Sequence, residues 1–282
     1  MPVDNTVGGA PPQGVSEDAW FDQRYFLGTN SPKHPNKRPF FANDPAGSAR
    51  RVMVCHLQSS DPPLPAAPAQ RTEISARNEY ARPGEERWYA LSFYLNKFWP
   101  IYDRDTLFVL WQLHTSQTTG VFSPPLHFSV TGNQMTLTLR HNLLPVPPPF
   151  VAVGNYATKD NRSQTWIDLG KLVLEQWYSF VINIGWSWQA AVGHLKVWMN
   201  GNMVMEQYQH PNCYQNLDDT LGNYPKIGIY APAGFGPRWD SQVAWVQAYI
   251  DYVTMGAKGS STVELFAQTP YKGPVEPTWS GT

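Results

Sequence analysis

The sequence predicts an all-β protein, a two-sheet sandwich or jelly roll in one domain, and three observations carry that prediction. Roughly a dozen short segments read as strands at regular spacing with turn signals between them. No helical period convinces over more than about ten residues. The chain holds 12 Trp, 14 Tyr and 13 Phe together with 26 Pro and 21 Gly, which suits aromatic strands joined by punctuated loops.

Along the chain, residues 1–18 read as a Pro- and Gly-rich tail and Asn30 to Pro45 as a long loop. Arg51 to Gln58 is a strand, with Val52 and Val54 alternating with Met53 and Cys55. The run DPPLPAAPA from Asp61 to Ala69 cannot sit inside a sheet, because proline offers no ladder hydrogen bond. Strands follow at Arg87 to Leu95, Thr106 to His114, Leu126 to Val130 and Gln134 to His141. Beyond a proline-rich loop at Val146 to Phe150 and a polar stretch from Asn155 to Gln164, Leu169 to Glu175 is expected to form a turn of helix. Further strands are Trp177 to Trp186, His194 to Asn200, Met203 to Tyr208, Lys226 to Tyr230 and Val243 to Met255. Asn200-Gly201, set between GHLKVWM and NMVMEQ, predicts a type I′ hairpin, since both central residues of that turn need positive φ. The 282 residues can bury a large core in one body, placed at 19–270 between an N-terminal tail at 1–18 and a C-terminal tail at 271–282.

A formal net charge of −1 argues against nucleic acid, which demands a strongly basic face, although a local cationic cleft is compatible with it. No run of about 18 apolar residues exists, so no membrane span is expected. Met1 to Ser16 lacks the basic-then-apolar order of a secretory signal. The two cysteines, Cys55 and Cys213, fit no zinc spacing. A Gly-rich phosphate loop, a GxSxG elbow and an HExxH helix are all missing.

Three polar segments in strand-like surroundings carry the chemistry: Arg71-Thr72-Glu73-Ile74-Ser75, Gln112-Leu113-His114, and Tyr224-Pro225-Lys226-Ile227-Gly228-Ile229-Tyr230. Alternate residues of a strand share a face, so Arg71 with Glu73, Gln112 with His114, and Tyr224, Lys226, Gly228 and Tyr230 each form one polar face. Laid side by side they gather two cations, an imidazole, an amide and a phenol, a surface suited to an acidic sugar. Gly228 on that face leaves room for a ligand to approach the strand.

This ordered set resembles the jelly-roll polysaccharide lyases, the glucuronan lyase and heparin lyase group and the alginate lyases that carry a similar Arg-Thr-Glu, Gln-x-His and Tyr-x-Lys-x-Gly-x-Tyr set. The resemblance runs from Arg71 to Met255 and includes the Gly193 to Gly201 hairpin and Tyr249-Ile250-Asp251-Tyr252-Val253. It implies a concanavalin-like jelly roll whose concave face binds a uronic acid polymer and cleaves it by β-elimination. A base removes the C5 proton beside the carboxylate and an acid protonates the leaving oxygen on C4. The resemblance assigns carboxylate neutralisation to Arg71, Gln112 and His114 and proton transfer to Tyr230, with His114 as second base. Lys226 would contact the neighbouring subsite, Glu73 would orient Arg71, and Tyr224 would be a structural residue or a sugar platform. The pattern departs at position 75, where serine replaces a usual arginine and Arg77 on the same face could substitute, and after Tyr230, where Ala231-Pro232-Ala233-Gly234-Phe235-Gly236 follows.

Tyrosine has an ordinary pKa of about 10, so a tyrosinate base near neutral pH must lie roughly 2 to 3 pH units lower, about 3 to 4 kcal/mol. One cation about 4 Å away at an effective dielectric near 20 supplies that order, and Arg71 or Lys226 is the expected source. No cofactor is then required; Asp218-Asp219 offers carboxylates for a structural calcium. Against a retaining glycosidase stands the lack of acidic residues at i and i+2 on a strand. The alternative is a non-catalytic lectin-like module using Trp88, Trp111, Trp186, Trp188, Trp198 or Trp239 as platforms, although tryptophans in strands generally fill cores. The expected partner is an anionic polysaccharide, glucuronan first and alginate second, met by a monomer outside the cell.

Overall fold

The computed structural model describes residues 25–27, 39–58, 60–61, 69–76, 80–101, 106–115, 123–142, 162–214, 222–232, 245–256 and 260–275. Fourteen strands appear in chain order: β1 (Tyr25–Leu27), β2 (Phe40–Asn43), β3 (Arg51–Gln58), β4 (Gln70–Ala76), β5 (Glu86–Leu95), β6 (Leu107–Thr115) and β7 (Leu126–Thr131), then β8 (Gln134–Asn142), β9 (Arg162–Lys171), β10 (Trp177–Gly185), β11 (His194–Met199), β12 (Asn202–Tyr208), β13 (Asn223–Ala231) and β14 (Trp245–Gly256). One short helix, α1 (Thr262–Ala267), follows them. The strands form two antiparallel seven-stranded sheets, ordered β1-β4-β13-β6-β7-β8-β9 and β12-β11-β10-β5-β14-β3-β2. This is the two-sheet jelly roll that the alternation and turn signals predict.

Aromatic side chains from both inner faces meet between the sheets. Phe93 of β5 packs on Phe128 of β7 at 4.9 Å between ring centroids, and Phe128 packs on Phe180 of β10 at 4.9 Å. Tyr89 meets Trp111 edge-on, and its hydroxyl accepts a hydrogen bond from Trp186 Nε1 at 3.2 Å. A polar end buried in an aromatic core is tolerated only with such a partner. Trp88, Trp111, Trp186 and Trp198 are all buried, and Trp188 packs against the core, so these are not the sugar platforms of the lectin alternative. Trp239, Arg77 and Asp218-Asp219 lie outside the described residues.

Several expectations need correction. The loop drawn from Asn30 to Pro45 contains β2, which pairs with β3 at the sheet edge. The polar stretch before Gln164 runs into β9, and the helical turn expected at Leu169 to Glu175 is instead the end of β9 followed by a bend with Glu175 at φ 63°. β9 escaped alternation because it is an edge strand with mostly polar or exposed side chains. Helix α1 was also missed. Its signature is a capping box, in which Ser261 accepts from the Glu264 backbone and Glu264 accepts from the Ser261 backbone. Leu265 and Phe266 cover the stacked Trp88–Trp198 pair on the outer face of the second sheet, with Tyr271 and Val275, beyond residue 270, packed beside them. The Asn200-Gly201 turn has the expected positive φ at both residues, 47° and 80°. The cysteines are both buried and form no disulfide.

β13 lies between β4 and β6 and carries a bulge against β6 between Ile227 and Tyr230. Gly228 sits at that bulge with φ 144°. A Cβ there would stand 2.0 Å from the Thr72 carbonyl oxygen and 2.7 Å from Glu73 Cα. The glycine therefore serves close strand approach and not ligand access, because the missing atom faces backbone. Gly228→Ala is expected to lower unfolding free energy by about 2 kcal/mol or more, read as a drop in thermal midpoint; an unchanged midpoint would show that β4 and β13 can separate freely.

Candidate active site

Strand pairing places the three polar segments side by side on the outer face of the first sheet. Lys226 on β13 is flanked by Ser75 on β4 and Gln112 on β6, and Tyr230 is flanked by Arg71. His114 lies opposite Tyr224. A second bulge explains how β6 feeds both core and groove: its register against β7 shifts between Val109 and Trp111. Leu110 and Trp111 consequently both point inward, while Gln112 and His114 line a groove of about 720 Å³ together with Arg71, Lys226 and Tyr230.

Glu73 lies under this cluster with 3% of its surface exposed. It accepts a hydrogen bond from Gln112 Nε2 at 2.5 Å and faces Arg71 Nη1 at 3.7 Å. A carboxylate only accepts, so the Gln112 amide is turned with its NH2 toward Glu73. The expected role of Glu73 was to orient Arg71; its tighter hold is on Gln112. At 3.7 Å the arginine contact is an ion pair without a hydrogen bond, and Arg71 Nε is buried without a partner among the described residues. The guanidinium thus retains donor capacity for an incoming carboxylate.

His114 Nδ1 is 2.8 Å from the Thr115 carbonyl. A carbonyl cannot donate, so Nδ1 carries the hydrogen and Nε2 keeps its lone pair. Burial, then the Lys226 and Arg71 charges, push the imidazole down to about 4 against the opposing Thr115 bond. It is a neutral proton acceptor at neutral pH. Tyr230 departs from expectation: burial and the Glu73 charge raise its phenol above the ordinary value and outweigh Arg71. The cation that was expected to make a tyrosinate is offset by the carboxylate beside it, and Tyr230 holds its proton. Lys226 is pushed down by burial and by Arg71, with Glu73 acting the other way.

Tyr224 does not line the groove. Its ring lies 5.7 Å from the His114 ring, 5.5 Å from Tyr80 and 5.9 Å below Lys226 Nζ, and burial pushes its phenol up to about 12. It therefore supports His114 and Lys226 from the side. Ser75 is buried, and Arg77 lies outside the described residues, so the substitution of one for the other has no structural account.

The groove continues onto β7, β8 and β9 through residues that sequence reading did not single out, among them His127, Thr138, Arg140, Gln164 and Trp166. His127 was set aside as one of seven histidines without metal spacing. The alternation HxSxT in β7 and TxTxR in β8 was the available signal: each leaves a polar row on one face of an otherwise apolar strand.

His114 also sets a pH dependence of stability. Its folded pKa of about 4 lies below the 6.5 of an unperturbed imidazole, so between these values the unfolded chain binds the extra proton. Stability contributed by the neutral ring is intact above pH 6.5 and is lost as pH falls through about 4. Melting curves of wild type and His114→Gln should therefore diverge in their pH slopes over that window, the variant being flatter; parallel slopes would refute the assignment. Taking the difference cancels Asp251, whose carboxyl is raised to about 6 by burial.

Comparison with known proteins gives the family and the fold. The family described as "Polysaccharide lyase" matches residues 27–254. Among solved structures, the endo-β-1,4-glucuronan lyase of the fungus Trichoderma reesei is similar with a TM-score of 0.62 at 16% identity, covering 78% of this chain and 87% of that one. Alginate lyase AlyC3 in complex with dimannuronate has a TM-score of 0.48 at 14% identity, covering 73% and 74%. The family 7 alginate lyase A1-II′ in complex with substrate has a TM-score of 0.48 at 11% identity, covering 77% and 81%. No curated protein matches the sequence significantly. With most of its length matched by that family, the chain belongs to the polysaccharide lyase family.

Proposed function

We propose that this chain cleaves a 1,4-linked uronan by β-elimination, with glucuronan as the first substrate and alginate as the second. The carrying observation is the inventory of the groove: Arg71, Lys226 and Gln112 stand beside two neutral proton-transfer groups, His114 and Tyr230. Counting Glu73, the cluster keeps one net positive charge, which matches the single carboxylate of a uronate.

In this reading the sugar carboxylate lies between Arg71 and Lys226, with the Gln112 amide alongside. Removal of the C5 proton places a second negative charge on that carboxylate, and preorganised donors are what make such an enolate accessible. His114 Nε2 accepts the proton, the C4–O4 bond breaks as the C4–C5 double bond forms, and Tyr230 gives its proton to the departing O4. Solvent then returns the imidazole proton to the phenol. Binding itself tunes the base: burial, the main cause of the low His114 value, stays, but a carboxylate offsets the Lys226 and Arg71 charges that add to it and so raises the imidazole. The same carboxylate reinforces the proton on Tyr230. A gluco- or manno-configured uronate has H5 and O4 on one ring face, which suits two groups rising from one sheet face. That supports glucuronan, and the fold shared with a glucuronan lyase agrees. In the same reading the enzyme acts as a monomer, and a polymeric substrate of this kind is met outside the cell.

The test is a panel of uronic acid polymers followed by the ultraviolet absorbance of the unsaturated uronate. At least one should give the signal, and Tyr230→Phe should lower kcat by about 10²–10⁴-fold while retaining polymer binding. Binding by wild type with no absorbance from any polymer would end the β-elimination reading.

A further inference from the structure

The lateral register of the first sheet continues the active-site row well past the reacting groups. Lys226 pairs with Gln112, Gln112 with His127, His127 with Thr138, and Thr138 with Trp166. At a strand spacing of about 4.8 Å, the four steps from β13 to β9 span roughly 19 Å. A sugar in a 1,4-linked chain advances by close to one strand spacing, so a polymer lying along this row passes one sugar per strand.

The far end of the row is built for an anionic sugar. Three neutral acceptors are among the groups that hold Arg140: Nε donates to Gln164 Oε1 at 2.6 Å, and Nη1 donates to the Pro124 carbonyl at 2.9 Å and to His127 Nδ1 at 2.7 Å. Because Nδ1 of His127 accepts, its hydrogen sits on Nε2, which has no partner among the described residues. Burial and the Arg140 charge hold this imidazole well below its ordinary pKa, so the tautomer is fixed and the ring stays neutral. Trp166, two residues from Gln164 on β9, leaves 67% of its surface exposed inside the same continuous groove. It has the largest exposed fraction among the large apolar side chains of the described residues. An indole left uncovered beside a fixed guanidinium is an aromatic platform with a polar rim, the pairing that a pyranose with a carboxylate would use.

We propose that strands β7 to β9 form a distal subsite for the same polymer, in which Arg140 and the His127 Nε2 hydrogen bind a second uronate carboxylate and Trp166 stacks on a neighbouring ring. The inference rests on the uronan reading for the identity of the ligand. Its consequence is a preference for long chains bound across the sheet, with affinity gained at a distance from the cleaved bond.

The experiment uses β-1,4-linked glucuronate oligomers of increasing length, the intact polymer, and the full chain as wild type, Trp166→Ala and Arg140→Lys. For wild type, kcat/KM should climb with chain length. In Trp166→Ala the value for the longest chains should fall about tenfold, mainly through KM, so that the climb flattens. Arg140→Lys keeps the charge and loses the planar fork, and should flatten the same curve while its melting temperature reports folding. An equal loss at every length, or no loss at the longest, overturns the subsite. A second arm separates the two readings: calorimetric binding of uncut polymer to Tyr230→Phe, with and without Trp166→Ala, should weaken about tenfold. If wild type cleaves no uronan and this binding still weakens, the elimination reading fails and the subsite stands. If cleavage is robust and neither curve nor binding responds to Trp166→Ala, the subsite fails alone.

Discussion

A carboxylate taken out of water inside a sheet persists only where cations and donors replace its hydration, and Glu73 is such a group. Its neighbours Gln112, Arg71 and Tyr230 line the groove. Gln112 turns its NH2 inward to reach it, Arg71 is drawn to within 3.7 Å, and the Tyr230 phenol keeps its proton partly because of its charge. A long ion pair compensates charge while leaving the Arg71 Nε buried without a hydrogen-bond partner among the described residues. It also limits what the cations can do. Burial, then Lys226 and Arg71, depress His114, yet Arg71 does not produce a tyrosinate, because burial and then Glu73 act on Tyr230 in the opposite sense.

The division of labour between the sheets follows from the way each outer face is covered. The second sheet buries part of its outer face under α1, where Leu265 and Phe266 cap the Trp88–Trp198 stack. The first sheet leaves its outer face to the groove, and its polar side chains are supported from below by the aromatic core on Phe93, Phe128 and Phe180. A close-packed core gives the groove a stiff floor that holds its side chains in place. Both bulges serve this end. One puts Leu110 and Trp111 into the core together and so resets β6 before Gln112; the other, at Gly228, presses β13 onto β4 beneath Lys226 and Tyr230.

Much of this was legible in the chain. Alternation located most strands of both sheets, and the Asn200-Gly201 pair located a hairpin whose two residues do adopt positive φ. The i, i+2 rule placed Arg71 with Glu73 and Gln112 with His114 on common faces; Arg71, Gln112 and His114 line the groove, and Glu73 lies buried against Arg71 and Gln112. What was not legible depended on partners distant in sequence. β9 looks like a polar loop until β8 pairs with it, and α1 is too short to show a period. Of the tryptophans that looked like platforms, Trp88, Trp111, Trp186 and Trp198 are core residues, whereas Trp166 stands out because it is left 67% exposed.

The sequence by itself determined the sandwich, the three motif strands and the chemical types that meet on them, because hydrophobic period and side-chain alternation are local properties of the chain. Only the tertiary structure decided the protonation of those groups. Whether Tyr230 loses its proton depends on its burial and on the balance of carboxylate and cation around it, and Arg71 and Glu73 both come from a strand more than 150 residues away. The same holds for the reach of the groove. His127, Arg140 and Trp166 become one surface with Lys226 through the register of five strands, and register is fixed by pairing across the sheet.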